Sequence, residues 1–280
     1  MGIHVSSVMT QRIITALVGL PILLFTIWMG GLWFLAVVIA ATAVASWEFY
    51  QLADKASGAR PLHWLGILLS ILIICNASAA LEEILIGIGI PVLPGSAIIA
   101  SATVLPLILF IIKRPSNPLN AWSTTVAGVL YVGFLTSHAV LLRDLDNGRD
   151  WLLFALLVTF ATDTFAFLIG RQFGRHALAP ALSPNKTWEG SIAGIISASL
   201  ASFLLYFWLP LDAPIWLIVG LGGAISVTGQ LGDLVESMLK RRAGISDAGR
   251  FLPGHGGVLD RLDSIVFTLP LIYYFIGFFL

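Results

Sequence analysis

The chain has 280 residues, of which 58% are hydrophobic and 11% charged, and its mean hydropathy is strongly positive. That composition excludes an ordinary soluble domain and points to an integral membrane protein. Fifteen basic and fifteen acidic residues cancel, so net charge identifies no partner, and the single Cys75, inside an apolar run, excludes an internal disulfide framework and a cysteine-cluster zinc site. Cys75 reads as packing.

Repeated apolar stretches of about 18 residues or more imply α-helical spans, because about 20 helical residues cross the roughly 30 Å hydrocarbon core with their backbone polar groups satisfied internally. The short alternating segments of a β-barrel are missing. The first apolar run, 13–46, exceeds a signal-peptide core of about 7 to 15 residues, so it reads as retained although AVAS at 43–46 resembles a cleavage site. Gly30-Gly31 divide it by a tight turn. The fold expected is all-α, a polytopic membrane bundle of nine spans near 13–29, 32–50, 63–80, 95–112, 121–142, 151–170, 190–209, 213–235 and 263–280. LEEILIGIGIPVLPG, at 81–95, carries two glutamates, then glycines and two prolines, and is expected to be an external or interfacial connection. Residues 1–150 supply the N-terminal spans and 151–280 the C-terminal spans with the polar loops, as one membrane unit without a separate soluble domain.

Loops on the cytoplasmic side retain an excess of Lys and Arg. With nine spans, one side holds Arg12, Lys55, Arg60, Lys113, Arg114, Arg171, Arg175, Lys186, Lys240, Arg241, Arg242, Arg250 and Arg261, and the other only Arg143 and Arg149. Thirteen against two predicts a cytoplasmic N-terminus and an external C-terminus; a further span at 81–95 would scatter the same charges. The two longest loops, 171–189 and 236–262, fall on the cytoplasmic side, where a water-soluble reactant would be met.

Asp260 and Asp263 lie three apart at the start of the last span and share a helix face. Adjacent carboxylates at a membrane boundary call for a cation or a basic partner, and Mg²⁺, which favours oxygen ligands and bridges carboxylates to phosphates, suits them. Upstream, Asp233, Glu236, Ser237 and Lys240 form a polar stripe that reads as a helix end meeting water or as part of a site. PGHGG at 253–257 lets backbone N–H groups approach an anion before a helix N-terminus, or serves as a hinge. His255 is a phosphate donor, a proton-transfer group or a turn residue. The loop GRQFGRHALAPALSPNKTWEG, 170–190, offers Arg171, Arg175, His176 and Lys186, with the hydroxyls of Ser183 and Thr187, enough to hold a polyphosphate, and reads equally as a basic surface loop. Glu189 is placed to interact with the N-terminal end of the next helix. Asp163, midway along the sixth span, is a functional candidate or a buried structural hydrogen-bonding group. GLGGAIS at 220–226 and Gly190-x-x-x-Gly194 read as close helix packing rather than a dinucleotide loop.

The ordered residues Ser237, Leu239, Lys240, Arg241, Asp247, Pro253, Gly254, His255, Gly256, Gly257, Asp260, Arg261 and Asp263 resemble the signature of phosphatidate cytidylyltransferases. SPNKTWEG (183–190), DTFAFLIGRQFGR (163–175) and WEFYQL (47–52) look like the same family. Ser246 stands where family members commonly carry a lysine, leaving a phosphate-neutralising charge missing or supplied by Arg242 or Arg250.

The resemblance implies that CTP and phosphatidate give CDP-diacylglycerol and pyrophosphate in an Mg²⁺-dependent reaction, with a second metal ion or a monovalent cation left open. It implies catalytic roles for Asp233, Lys240, Arg241, His255, Asp260, Arg261 and Asp263. Substrate contacts fall to Ser183, Lys186, Thr187, Gly256 and Gly257, and metal contacts to Asp233, Asp260, Asp263 and Asp163. The expected partners are CTP, phosphatidate in the bilayer and membrane lipids, without nucleic acid; a homodimer is compatible. The expected location is the inner membrane, with the active site facing the cytoplasm. Two other readings remain at this point: a CTP-dependent polyprenol-type lipid kinase, and an ion-coupled transporter using Asp163.

Overall fold

The computed structural model describes residues 2–58, 60–254 and 256–280, with side chains at residues 10, 14 and 15 and from 17 onward within them. The apolar runs fold as helices α1 (Gly2–Met29), α2 (Gly31–Ser57), α3 (His63–Asn76), α4 (Ala79–Gly87) and α5 (Gly95–Lys113). There follow α6 (Pro118–Gly128), a π-helical stretch (Val129–Phe134) and α7 (Leu135–Arg143), then α8 (Gly148–Phe173), α9 (Trp188–Tyr206), α10 (Ile215–Ala243) and α11 (Leu259–Phe279). Among the described residues, seven helical segments are long and apolar enough to cross a membrane: α2, α5, the run from α6 through α7, and α8 to α11. The pair α3 and α4 makes an eighth if its 85° bend is counted within one span, and α1 contributes a shorter apolar stretch, Leu17–Met29. The chain is a multi-pass membrane helical bundle.

Two expectations need correction. The span at 63–80 ends early, since the 14 residues of α3 reach roughly 21 Å at about 1.5 Å each, short of the roughly 30 Å core. The connection at 81–95 is partly helical, because α4 has its own caps: the Ser78 hydroxyl accepts from the Leu81 N–H at 3.3 Å, and Asp144 Oδ2 accepts from the Ala79 N–H at 2.9 Å. The all-α pattern is also interrupted by one small hairpin, β1 (Ala177–Ala179) with β2 (Ser183–Thr187).

The chain divides into two units, one of Met1–Asp144 with Arg242–Leu262, the other of Leu145–Arg241 with Asp263–Leu280. Residues 242–262, expected with the C-terminal spans, thus group with the N-terminal helices. In the first unit Tyr50 is fully buried, and its hydroxyl donates to the Thr125 carbonyl at 2.9 Å. The Thr125 hydroxyl in turn accepts from the Leu62 N–H at 3.0 Å, so one tyrosine and one threonine tie α2, α6 and the entry to α3. Gly66 and Gly128 lie against the phenol with no room for a side chain. The Gly30-Gly31 turn forms as expected, with φ of 65° and 49°. Over it lies Arg143, whose Nε donates to the Ile27 carbonyl at 2.8 Å, a cation at the C-terminal end of α1.

In the second unit small residues let helices approach closely, as their sequence pattern suggested. A side chain at Gly190 would stand 2.6 Å from the Ala166 carbonyl, and one at Gly194 would stand 3.3 Å from the Ala166 methyl, fixing α9 against α8. Gly222 meets Ala198 and Ser202, while Gly232 meets the Asp263 backbone and Phe267.

Because the Tyr50 hydroxyl is the atom nearest to a Cβ at Gly66, Gly66→Ala should destabilise by the ~1–3 kcal/mol of overpacking. Thermal unfolding in detergent is expected to show a lowered midpoint that Tyr50→Phe partly restores. Additive losses in the double variant would refute this packing account.

Candidate active site

The hairpin and α9 are built as one piece. Thr187 ends β2 and caps α9, its hydroxyl accepting from the Gly190 N–H at 3.1 Å. Glu189, in the first turn of α9, accepts from the backbone N–H of His176 at 3.3 Å and lies 2.7 Å from its Nδ1. A carboxylate is favoured at that helix end by the macrodipole. Arg241 Nε donates to the Leu182 carbonyl at 3.1 Å, which fastens the hairpin tip to α10. Ser183 pairs with Ala179 at the hairpin's start.

Between α8, the hairpin, α9 and α10 lies a cavity of about 580 Å³, lined by Asp163, Arg171, Lys186, Thr187, Gln230 and Asp233 among others. That volume falls within the ~300–1,000 Å³ typical of small-molecule sites. At its wall the Lys186 ammonium meets Asp233 Oδ2 at 2.5 Å, both side chains being partly exposed. Gln230 is held by the Ser191 carbonyl at 3.3 Å and the Ser226 hydroxyl at 3.0 Å. The structure therefore brings together Asp163, the neighbours Lys186 and Thr187, and Asp233, residues singled out in three separate segments of the sequence.

Next to Asp233 along α10, Glu236 is fully buried and pairs with Lys240 Nζ at 2.6 Å. Asp263 lies within electrostatic range of Asp233, Glu236 and Lys240. Three carboxylates and two lysines thus form one network in the second unit. Gathered carboxylates repel, and the two ammonium groups supply the compensation that makes this burial tolerable. Among the described residues, no three His, Cys, Asp or Glu side chains are arranged to hold a metal ion by themselves. Asp233 and Asp263 are nevertheless hard-oxygen donors in one neighbourhood, a donor set that suits Mg²⁺, and Lys186 already brings a positive charge to it.

In the first unit, Asp260 and the glycines of the PGHGG segment form a different construction; His255 lies outside the described residues. Gly254 and Gly256 have φ of 74° and 86°, and the Leu252 N–H donates to the Gly256 carbonyl at 2.9 Å, closing a tight turn. Asp260 Oδ2 accepts from the Gly257 N–H at 2.8 Å and the Ala248 N–H at 2.9 Å. Glu48 Oε2 accepts from the Leu259 N–H at 2.8 Å. The Gly257 N–H, expected to face a phosphate, is therefore engaged by a carboxylate of the chain itself, as is that of Leu259. Asp247 receives the Ser246 hydroxyl at 2.7 Å, and Arg261 is exposed.

Glu48 was not assigned a role from sequence, although a lone glutamate within an apolar span is itself a signal. Glu236 stood in the polar stripe without a role; its proximity to Asp263 joins residues distant in sequence and has no local signature.

The cytidylyltransferase family model matches residues 10–279 of the chain. Among curated relatives, the phosphatidate cytidylyltransferase of Staphylococcus haemolyticus (strain JCSC1435) is 45% identical over 144 residues, covering 51% of this chain and 55% of the relative. That of Staphylococcus saprophyticus is 43% identical over 144 residues, with the same coverage of 51% and 55%. That of Staphylococcus epidermidis is 47% identical over 127 residues, covering 45% and 49%. The chain spans about half the length of the curated relatives it matches. With the family match extending over nearly all of its length, the chain belongs to the cytidylyltransferase family.

Proposed function

We propose that this protein transfers the cytidylyl group of CTP to phosphatidate, giving CDP-diacylglycerol and pyrophosphate. The observation that carries the reading is the cavity in which Lys186 meets Asp233, with Arg171 on its wall, in a chain of this family. Relatives named phosphatidate cytidylyltransferase support the choice of substrates.

In this reaction a lipid phosphate oxygen attacks the α-phosphorus of CTP. A new P–O bond forms, the bond from the α-phosphorus to the bridging oxygen breaks, and pyrophosphate leaves with that electron pair. The chemistry needs no covalent protein intermediate, so the protein's work is positioning and neutralising charge. Lys186 and Arg171 would hold triphosphate oxygens, with Lys240, Arg241 and Arg261 as further cations for the two anionic substrates. Asp233 and Asp263 would hold Mg²⁺, which when bound offsets negative charge on the phosphates. Asp163 would orient ligands in the same cavity. Asp260, whose carboxylate receives the Ala248 and Gly257 N–H groups, is assigned to holding its loop. With α1 and the bent pair α3 and α4 each counted as one span, nine in all, the bias of thirteen basic residues against two favours a site at the cytoplasmic face of the inner membrane, where soluble CTP and bilayer phosphatidate meet.

Purified protein given CTP, phosphatidate and Mg²⁺ should produce CDP-diacylglycerol and pyrophosphate, with label from the CTP α-phosphate entering the lipid. Transfer of γ-label instead would identify a lipid kinase and overturn the assignment. Chelating Mg²⁺ should stop turnover and its return restore it; turnover indifferent to chelation would remove the metal role. Lys186→Ala is expected to lower kcat/KM about 100-fold or more, the usual loss when a preorganised charge contact to a reacting phosphate is deleted. A near-normal rate in that variant would place the chemistry elsewhere.

A further inference from the structure

We infer that Glu48 is a positioning residue for this reaction, resting on the function proposed above: its buried carboxylate anchors the loop of residues 248–259 from the middle of the chain's second helix. Glu48 is only 5% exposed, well inside α2, and lies 211 positions from the Leu259 N–H that it accepts at 2.8 Å. A leucine would fill this space without the cost of desolvating a carboxylate. What the carboxylate adds is a directed acceptor for the backbone N–H group that begins α11.

The contact is close on two further sides. A Cβ at Gly257 would stand 2.5 Å from Glu48 Oε2, and one at Gly249 would overlap Oε1, so the loop backbone is pressed onto the carboxylate at two glycines. Gly257 is held twice, its α-carbon against Glu48 and its N–H on Asp260. Asp260 takes the Ala248 N–H at the other end of the loop. Two buried carboxylates thereby fix both ends of the segment that contains PGHGG, and only Glu48 does so from a distant element. The loop so anchored carries His255, Gly256 and Gly257, to which the family resemblance assigns phosphate contacts, so Glu48 would act on the reaction through the loop without touching substrate.

The loop carries an exposed arginine, Arg250, and the same unit carries an exposed lysine, Lys113, at the end of α5. Limited trypsin digestion of the full chain in detergent, read by mass spectrometry, therefore reports loop order at Arg250 against a control at Lys113. Glu48→Ala should raise cleavage after Arg250 about tenfold, by freeing a local segment, while leaving cleavage after Lys113 at its wild-type value. Its kcat/KM for CDP-diacylglycerol formation should fall about 10- to 100-fold, and Glu48→Gln, which keeps an acceptor oxygen, should recover part of that loss. Gly257→Ala should reproduce the defect from the opposite side of the contact, and combined with Glu48→Ala should cost less than the sum, since the methyl then has space.

Wild-type turnover and wild-type Arg250 protection in Glu48→Ala would overturn the inference. So would equal acceleration at Arg250 and Lys113, which would make Glu48 a general stabiliser of the unit. A wild-type protein that makes no CDP-diacylglycerol would refute the assigned reaction, and the Arg250 comparison would then decide the anchor alone.

Discussion

A carboxylate within a membrane helix must be met by a cation or by backbone N–H groups, because hydrocarbon offers neither. In this chain that constraint separates its acidic residues by role. Asp233 is met by Lys186 and Glu236 by Lys240. Glu48 and Asp260 are met by backbone N–H groups, contacts that could be exchanged only by moving the chain. The first arrangement suits binding and chemistry, the second suits holding a loop in shape.

The packing beneath the cavity follows from residue size. Gly190 and Gly194 bring α9 onto α8, so the hairpin that ends in Thr187 is delivered to the cavity wall with its cap already satisfied. The His176–Glu189 pair and the Arg241 contact to Leu182 hold the hairpin from two sides. Lys186 therefore sits on a braced strand, and its meeting with Asp233 is a product of α8, α9 and α10 together.

What the sequence made legible was local. Apolar runs located the helices, the Gly30-Gly31 pair marked a turn, and small residues marked close helix contacts, since each depends on neighbours within a few positions. The α4 helix was hidden because its capping relies partly on Asp144, 65 positions from Ala79. Asp260 and Asp263 looked equivalent by spacing, yet the former receives loop N–H groups and the latter lies beside the Asp233, Glu236 and Lys240 side chains. Spacing gives the face of a helix and says nothing of what arrives there. Glu48 was visible as an isolated charge, but the backbone N–H it accepts lies 211 positions away.

In the proposed reaction Lys186 and Asp233 work as one unit, the lysine holding a triphosphate oxygen and the aspartate, in contact with it, holding Mg²⁺. A double-mutant cycle with Lys186→Ala and Asp233→Ala, scored by kcat/KM for CDP-diacylglycerol formation, tests it most directly. The account predicts that the double variant loses little more activity than either single one. Losses that simply multiply, or single variants that turn over normally, would contradict it.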